Sequence, residues 1–277
     1  MTSYFKNKTC LIVSKHQKEI VIAPILNAKL GMKCVSNATI DTDALGTFTG
    51  EIERVKSPYD TVKDKCLLGQ DFPGVDFIVA NEGSFGAHPF IPFITADEEF
   101  ICLYDVHENE FIVEKMLFYE TNFSTVKITN VAELDDVLLK LNFPSHGVIL
   151  RTENLIIKDL FDLDEIRKCV VEMLFQQGNC NIDTDMRAMH NPTRMKCIEQ
   201  LTMKFTNTLT SKCNQCGWHG FTIVEHKEGL ACSLCNRPTK STLYHLYKCK
   251  KCSFEKKNLF PNNKEVEDPT YCDWCNP

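Results

Sequence analysis

No apolar run in the 277-residue sequence comes near the roughly 20 residues that a helix needs to cross a bilayer, which argues against a helical membrane span. The opening stretch MTSYFKNKTCLIVS carries Lys6 and Lys8 but neither the apolar core nor the small-residue cleavage site of a secretory signal. It is therefore expected to supply a first strand, and the protein to be cytoplasmic. There is no Gly-x-Ser-x-Gly elbow, so the signature of one large class of serine hydrolases is missing. Histidine never recurs at HxH or HxxxH spacing, and His16, His88, His146 and His190 are expected to be unrelated rather than a catalytic metal set. Gly83-Ser-Phe-Gly86 has the spacing of neither a Walker loop nor a dinucleotide fingerprint. With 12 glycines, 11 prolines, 43% hydrophobic and 25% charged residues, the balance is that of a soluble globular chain. Its length suits one large domain plus a smaller one.

Cysteine, in contrast, is abundant. Of 15 cysteines, seven (Cys10, Cys34, Cys66, Cys102, Cys169, Cys180 and Cys197) are scattered, mostly in apolar runs, and are expected to be small buried hydrophobes. The other eight form four CxxC pairs: Cys213/Cys216, Cys232/Cys235, Cys249/Cys252 and Cys272/Cys275. Gaps of 15 and 19 residues separate the first two and the last two pairs, within the range of two-knuckle, four-cysteine zinc ribbons. Two thiolates on one tight turn reach a single ion, and a second such turn completes the tetrahedron. Four thiolates leave no open position, so two structural Zn2+ are expected. Spacing leaves open whether the pairs combine sequentially or interleave.

Charge divides at the same place. Residues 211–277 hold ten Lys+Arg against seven Asp+Glu, a formal +3, while the rest of the chain carries −9. The acidic body argues against nucleic-acid binding along its length. Eight thiolates on two Zn2+ would subtract about 4 charges from the tail and leave it near neutral. Lys248, Lys250, Lys251, Lys256 and Lys257, interleaved with Tyr247 and Phe254, nevertheless suit single-stranded nucleic acid through phosphate contacts and stacking, or else a solvated basic face.

Before residue 210 the pattern alternates strand and helix. Strands are expected at 9–14, 32–36 and 75–80, with a helix over 17–30 that Pro24 would kink or interrupt. A second helix opens at Ser57-Pro58, with Ser57 as N-cap. Runs at 98–106 and 110–120 make a hairpin, 131–142 is amphipathic, 146–152 is a strand, and helices begin at Asp162 and at Asn191-Pro192. This order predicts a mixed open α/β sheet with flanking helices.

In such sheets ligands lie beyond the carboxyl ends of the strands. Three exits are chemically suited: Ser14-Lys15-His16-Gln17-Lys18, Asp41-Thr42-Asp43 with the Gly/Thr loop 46–51, and Asn81-Glu82-Gly83. Glu82 follows the apolar run Val75–Ala80 and is expected to end its strand at a crevice, although a plain turn would use the same residues. Lysines facing carboxylates across a crevice can hold phosphate oxygens and a divalent ion. Asp183-Thr-Asp-Met-Arg187 with Arg194 either lines the same crevice or caps turns and helix ends.

Residues 8–105 resemble the inosine/xanthosine triphosphatase-like superfamily in the order strand, Lys-bearing polar turn, helix, strand, Gly/Thr loop, Lys-bearing helix, and strand with Glu-Gly. The resemblance implies that Ser14, Lys15, His16 and Lys18 stand at a phosphate-holding turn, Lys65 on the basic helix and Glu82 at the acidic position. The family's Thr-x-Asn-x-x-Lys turn is altered here: Ser14 replaces Thr, His16 replaces Asn, and Lys18 comes one place early. The whole chain also resembles an uncharacterised bacterial family ending in a double zinc ribbon. That likeness is carried by GTFTGE (46–51), NEGSFGAHP (81–89), ETNF (120–123), TDMRA (184–188), NPTRM (191–195) and CDWCNP (272–277).

The expected protein is thus an α/β domain over 1–210 and a C-terminal tandem zinc ribbon, four cysteines per ion, over 211–277. Its expected activity is that of a divalent-metal-dependent hydrolase, with Mg2+ the natural ion, acting on a nucleotide or other phosphate-bearing substrate. Lys18 and Lys65 would hold phosphates, Glu82 would position metal or activate water, and Asp41 or Asp43 would assist. The alternative is a noncatalytic ribbon protein that binds nucleic acid or a protein partner.

Overall fold

Short β-branched runs and well-capped helices set the architecture of the computed structural model, which describes residues 4–37, 39–47, 51–88, 91 and 93–277. Phe48, Thr49 and Gly50 of the GTFTGE stretch and Pro89 of NEGSFGAHP lie outside the described residues. The chain divides into two compact units, Met1–Phe205 and Thr206–Pro277. Among the described residues no helix is long and apolar enough to cross a membrane.

In the first unit, β1 (Thr9–Val13), α1 (Glu19–Leu30), β2 (Lys33–Ser36), α2 (Pro58–Leu67), β3 (Phe77–Ala87), β4 (Thr95–Asp105) and β5 (Glu110–Phe118) build a mixed sheet of order β2-β1-β3-β4-β5. β1 runs parallel to β2 and β3, while β3, β4 and β5 are antiparallel. Both faces are apolar, as a sheet covered on both sides requires. Leu11, Val13, Ile78, Ala80 and Cys102 pack with Val62 and Cys66 of α2. Alternation turns Cys10, Ile12, Phe77, Val79, Ile101 and Leu103 to the other face, where all are fully buried. Ser57 caps α2, its hydroxyl accepting from the Asp60 N–H. α1 continues through Pro24 instead of breaking. Pro24 lies on the exposed face, and the carbonyl it leaves unbonded belongs to Ile20, itself 59% exposed, so water can satisfy it.

A second sheet, not anticipated from the sequence, follows. β6 (Thr125–Ile128), α3 (Leu134–Lys140), β7 (Val148–Arg151), β8 (Ile156–Leu160), α4 (Leu163–Gln177) and β9 (Cys180–Thr184) give an antiparallel order β6-β9-β7-β8. Its core joins Ile128, Val148, Leu150 and Ile182 to Leu134, Val137 and Leu138 of α3 and to Ile166, Val170 and Met173 of α4. α5 (Pro192–Thr210) begins where Asn191 accepts from the Arg194 N–H.

The second unit holds one antiparallel sheet of β10 (Thr222–Glu228), β11 (Thr242–Lys248) and β12 (Glu255–Leu259).

Candidate functional site

β3 does not end at Glu82. It runs on to Ala87, paired residue by residue with β4 from Phe77↔Asp105 to Ala87↔Thr95. The expectation of a strand over 75–80 fails because the antiparallel partner satisfies the backbone of the polar stretch as well as of the apolar one. β1, however, does stop early, its last pairing being Val13↔Ala80. From Asn81 onward β3 therefore presents an open edge beyond the carboxyl end of β1, and side chains cover it. Lys18 Nζ donates to the Asn81 carbonyl at 2.9 Å and Arg54 Nη1 to the Gly83 carbonyl at 3.2 Å.

A cleft of about 530 Å³ lies along this edge, between the two sheets of the first unit. Small-molecule sites occupy about 300–1,000 Å³. Six basic side chains line it (Lys18, Arg54, Lys65, Arg151, Arg187, Arg194) against three acids (Asp43, Glu82, Asp183), so the field inside favours an anion. Phe85 and Phe123 add an aromatic wall, their ring centroids 5.9 Å apart.

Alternation along β3 sends Glu82 to the α2 side. Its carboxylate accepts from Lys65 Nζ at 2.5 Å and from Arg54 Nη1 at 3.0 Å, and Arg54 Nη2 also donates to Ser84 Oγ. Burial alone would push this carboxyl up, but Lys65, Lys18 and Arg54 outweigh it and hold it below its ordinary value. Burial, then Arg194 and Lys65, lower the Lys18 amine to about 7. Burial and Lys18 likewise lower His16 to about 3, leaving a neutral imidazole at neutral pH, 4.0 Å from the Asp43 carboxylate.

Gly83 faces the opposite side, over which Arg194 lies. Arg194 Nε donates to Glu99 Oε1 at 2.7 Å and Nη1 to the Met186 carbonyl at 2.5 Å, while Asn81 donates to Glu99 Oε2 at 2.8 Å. Asp97 stands beside them, and burial with the neighbouring Glu99 charge raises it to about 8. A Cβ on Gly83 would sit 2.5 Å from Arg194 Nη2 and 2.8 Å from Glu99 Oε1, so glycine is what lets the guanidinium approach. Gly83→Ala is expected to cost about 1–3 kcal/mol of stability by overpacking. Urea denaturation checks this, and an unchanged midpoint would contradict the close approach.

Of the residues expected from the sequence, Lys18, Lys65, Glu82, His16 and Asp43 share this cleft. Lys15 and Asp41 stand outside it. Lys15 bridges Asp41 at 3.1 Å and Asp43 at 2.6 Å and lines a smaller neighbouring cavity with His16. Ser14 uses its hydroxyl locally, accepting from the Lys18 N–H at 3.1 Å. Asp183, Arg187 and Arg194 belong to the cleft, whereas Asp185 accepts from Arg187 and supports it. His146 contacts Thr193 and His190 contacts Asp159. Arg54, Arg151, Phe123 and Asn181 were not foreseen. Only the ETNF stretch of the family resemblance touched one of them.

In the second unit the four CxxC turns form two groups whose ligand atoms all lie within 4.8 Å of one another: Cys213, Cys216, Cys249 and Cys252, and Cys232, Cys235, Cys272 and Cys275. Among the described residues no other group of three His, Cys, Asp or Glu has that geometry. The pairs interleave, first with third and second with fourth. One strand, β10, fills the first gap and carries the chain to the far end of the sheet, and β11 brings it back. Sulfur–sulfur distances across the groups are 3.7 and 3.6 Å in the first and 3.8 and 3.7 Å in the second. A tetrahedron with metal–sulfur bonds of about 2.3 Å has edges of about 3.8 Å, so the donors fit an ion held by four thiolates. Backbone N–H groups of Cys235 and Leu234 hold the Cys232 thiol down at about 7. Tyr247 and Phe254, both half-buried, pack around Phe221 in the small core.

A family model described as a domain of unknown function (DUF6671) matches residues 65–277. The matched segment includes Lys65, Glu82, Arg151, Arg187, Arg194 and all eight clustered cysteines. No curated protein matches the chain. Among solved structures, the one described as the crystal structure of protein VC0702 from Vibrio cholerae is 10% identical with a TM-score of 0.32, over 71% of this chain and 92% of that chain. A likeness that weak carries no argument.

Proposed function

The chain belongs to the family described as a domain of unknown function, DUF6671, and we propose that it is a hydrolase of phosphate-bearing small molecules, nucleotides among them, working from the cleft along β3. The observation that carries this reading is the convergence of six basic side chains on one cleft lined by only three acids. Lys65 and Arg54 hold phosphate oxygens from the α2 side, and Arg187 and Arg194 from the other. Charge developing on a transferred phosphoryl group is stabilised there without reorganisation. The order resemblance of residues 8–105 to the inosine/xanthosine triphosphatase-like superfamily supports the same assignment for Lys18, Lys65 and Glu82.

The cleft's donors do not build a cage for Mg2+. Magnesium takes six oxygens in near-octahedral array. Both Glu82 oxygens are engaged by Lys65 and Arg54, and Asp43 by Lys15, so no step is assigned to a protein-held ion. For the ribbon we assign zinc, since four thiolates with tetrahedral edges and no open position are its structural habit, and reduced ligand thiols suit a cytoplasmic setting.

Calorimetric titration with inorganic pyrophosphate and a panel of nucleoside triphosphates, with phosphate release followed with and without Mg2+, tests the reading. Binding that weakens with salt and turnover of at least one nucleotide are expected. Arg54→Ala should weaken binding about tenfold or more through one lost charge-assisted contact. Absence of pyrophosphate and nucleotide binding at low salt would overturn it.

A further inference from the structure

The two lysines of the cleft are held in opposite ways. Lys65 Nζ rests 2.5 Å from a carboxylate oxygen of Glu82. Lys18 Nζ meets no carboxylate within bridging distance among the described residues, and its hydrogen bond goes to a neutral acceptor, the Asn81 carbonyl, at 2.9 Å. A neutral amine still donates that bond, more weakly than an ammonium would, and keeps a lone pair free. The residue is 6% exposed, yet it lines the cleft. The charged and titratable groups around it are Arg194 on α5, Lys65 on α2, Glu82 on β3, Glu99 and Asp97 on β4, and His16 on its own turn. The two cations repel a third positive charge, while Glu82 is already taken by Lys65 and Arg54 and Glu99 by Arg194. An amine placed beside other cations and out of water is the standard way to obtain a nucleophilic lysine at neutral pH.

We propose that Lys18 is a nucleophilic amine at the floor of the cleft and that the cleft takes phosphorylated aldehydes covalently, as imines on Lys18. The proposal rests on the phosphate-binding reading given above, because the phosphate is what brings the carbonyl within reach. Arg54, Lys65 and Arg187 hold the phosphate, and Phe85 and Phe123 flank an aromatic body where the aldehyde carries one. In the reaction the Nζ lone pair attacks the carbonyl carbon to give a carbinolamine. Both amine hydrogens then depart with the former carbonyl oxygen as water, and the C=N bond remains. No oxidant or reductant takes part. The depressed value of about 7 agrees with this geometry. At neutral pH about half of the Lys18 amines are uncharged, roughly a thousand times the fraction for an ordinary lysine.

The test uses the full chain with pyridoxal 5'-phosphate as probe, borohydride to fix any imine, and peptide mass spectrometry to locate it. Lys18 is expected to carry at least about tenfold more label than any other lysine at neutral pH, given its larger neutral fraction. Labelling should reach half its plateau near pH 7, be suppressed by inorganic pyrophosphate, and be far weaker with pyridoxal, which lacks the phosphate. Lys18→Arg should lose the label while keeping a native circular-dichroism spectrum, which separates loss of the amine from loss of the fold. Label spread over exposed lysines such as Lys250 and Lys257, or a Lys18 rate that climbs only at strongly alkaline pH, would overturn the proposal. If pyrophosphate binds but Lys18 stays unlabelled, the nucleophile alone is wrong. If pyrophosphate itself does not bind, the phosphate-binding reading fails with it.

Discussion

Chelating the metals is expected to unfold the second unit, Thr206–Pro277, and to leave the first unit folded. The asymmetry follows from what each unit buries. The first has two sheets with apolar cores, whereas the buried centre of the second is Cys213, Phe221 and Cys249 with Trp218, Tyr247, Cys252 and Phe254 packed against it. Three of those seven are metal ligands, and every residue of β12 is exposed. So little apolar burial cannot offset the conformational entropy of ordering such a segment. Binding a structural zinc contributes about 10–16 kcal/mol in comparable small modules, and under the zinc assignment proposed above that term supplies the folding free energy here. Limited proteolysis before and after chelation reads the result: cleavage should appear throughout 213–277 and spare the strands of the first unit. A ribbon that stays protease-resistant without metal would contradict the account. Paired cysteine substitutions test the interleaving. Cys213→Ser with Cys249→Ser should remove one of two bound metals, because both serve the same ion. Cys213→Ser with Cys232→Ser should remove both. Sequential pairing requires the reverse, and metal content per chain decides between them.

The interleaving shows where the sequence was legible and where it stopped. The ligand residues were evident because CxxC has one strong chemical meaning at that density. Their partnership was not, because a gap of 15 residues holds either a short hairpin, which returns the chain to the same ion, or a single strand, which carries it to the other end. Only the strand count distinguishes these, and the weak apolar alternation of the exposed Thr222–Glu228 hides it. A similar limit applied to Glu82. Its chemistry was readable, an acid after an apolar run, but a strand end was inferred from polarity. Polarity reports the loss of β1 as a neighbour at Val13, and the strand itself continues on β4. Arg54 and Arg151 were invisible because each is a lone cation in an unremarkable stretch. They matter only through long-range placement, 28 residues from Glu82 in one case and 32 from Asp183 in the other. The second sheet was missed for a related reason. β6 and β8 are four and five residues long and contain Lys127 and Lys158, too short and too polar to stand out before β9 pairs with β6, and β7 with β8, to make a layer.

Replacing Glu82 by glutamine should weaken the fold and strengthen anion binding at the same time. The carboxylate is 9% exposed and holds two cations, so its loss leaves Lys65 and Arg54 facing Lys18 and Arg194 without their compensating charge. Removing one partner of a buried pair costs about 3 kcal/mol or more, and the amide's remaining acceptor oxygen offsets only part of that. The same uncompensated positive charge is what an incoming phosphate neutralises. Pyrophosphate affinity is therefore expected to rise in Glu82→Gln even as the urea midpoint falls. Lys65→Met should move both quantities downward, since it removes a phosphate donor along with a partner. The double variant should recover much of the lost stability and part of the lost affinity, because Arg54 is then freed of the competing carboxylate. The pH dependence has a defined sign. The folded Glu82 carboxyl lies below its ordinary value, so its contribution is fully present above about pH 4.3 and is lost as pH falls through the lower folded value. Glu82→Gln should abolish that part of the acid sensitivity. Weaker pyrophosphate binding in Glu82→Gln would mean that the acid's main service is to aim Lys65 and Arg54, with charge competition the lesser effect. Unchanged binding and stability together would remove Glu82 from the site altogether.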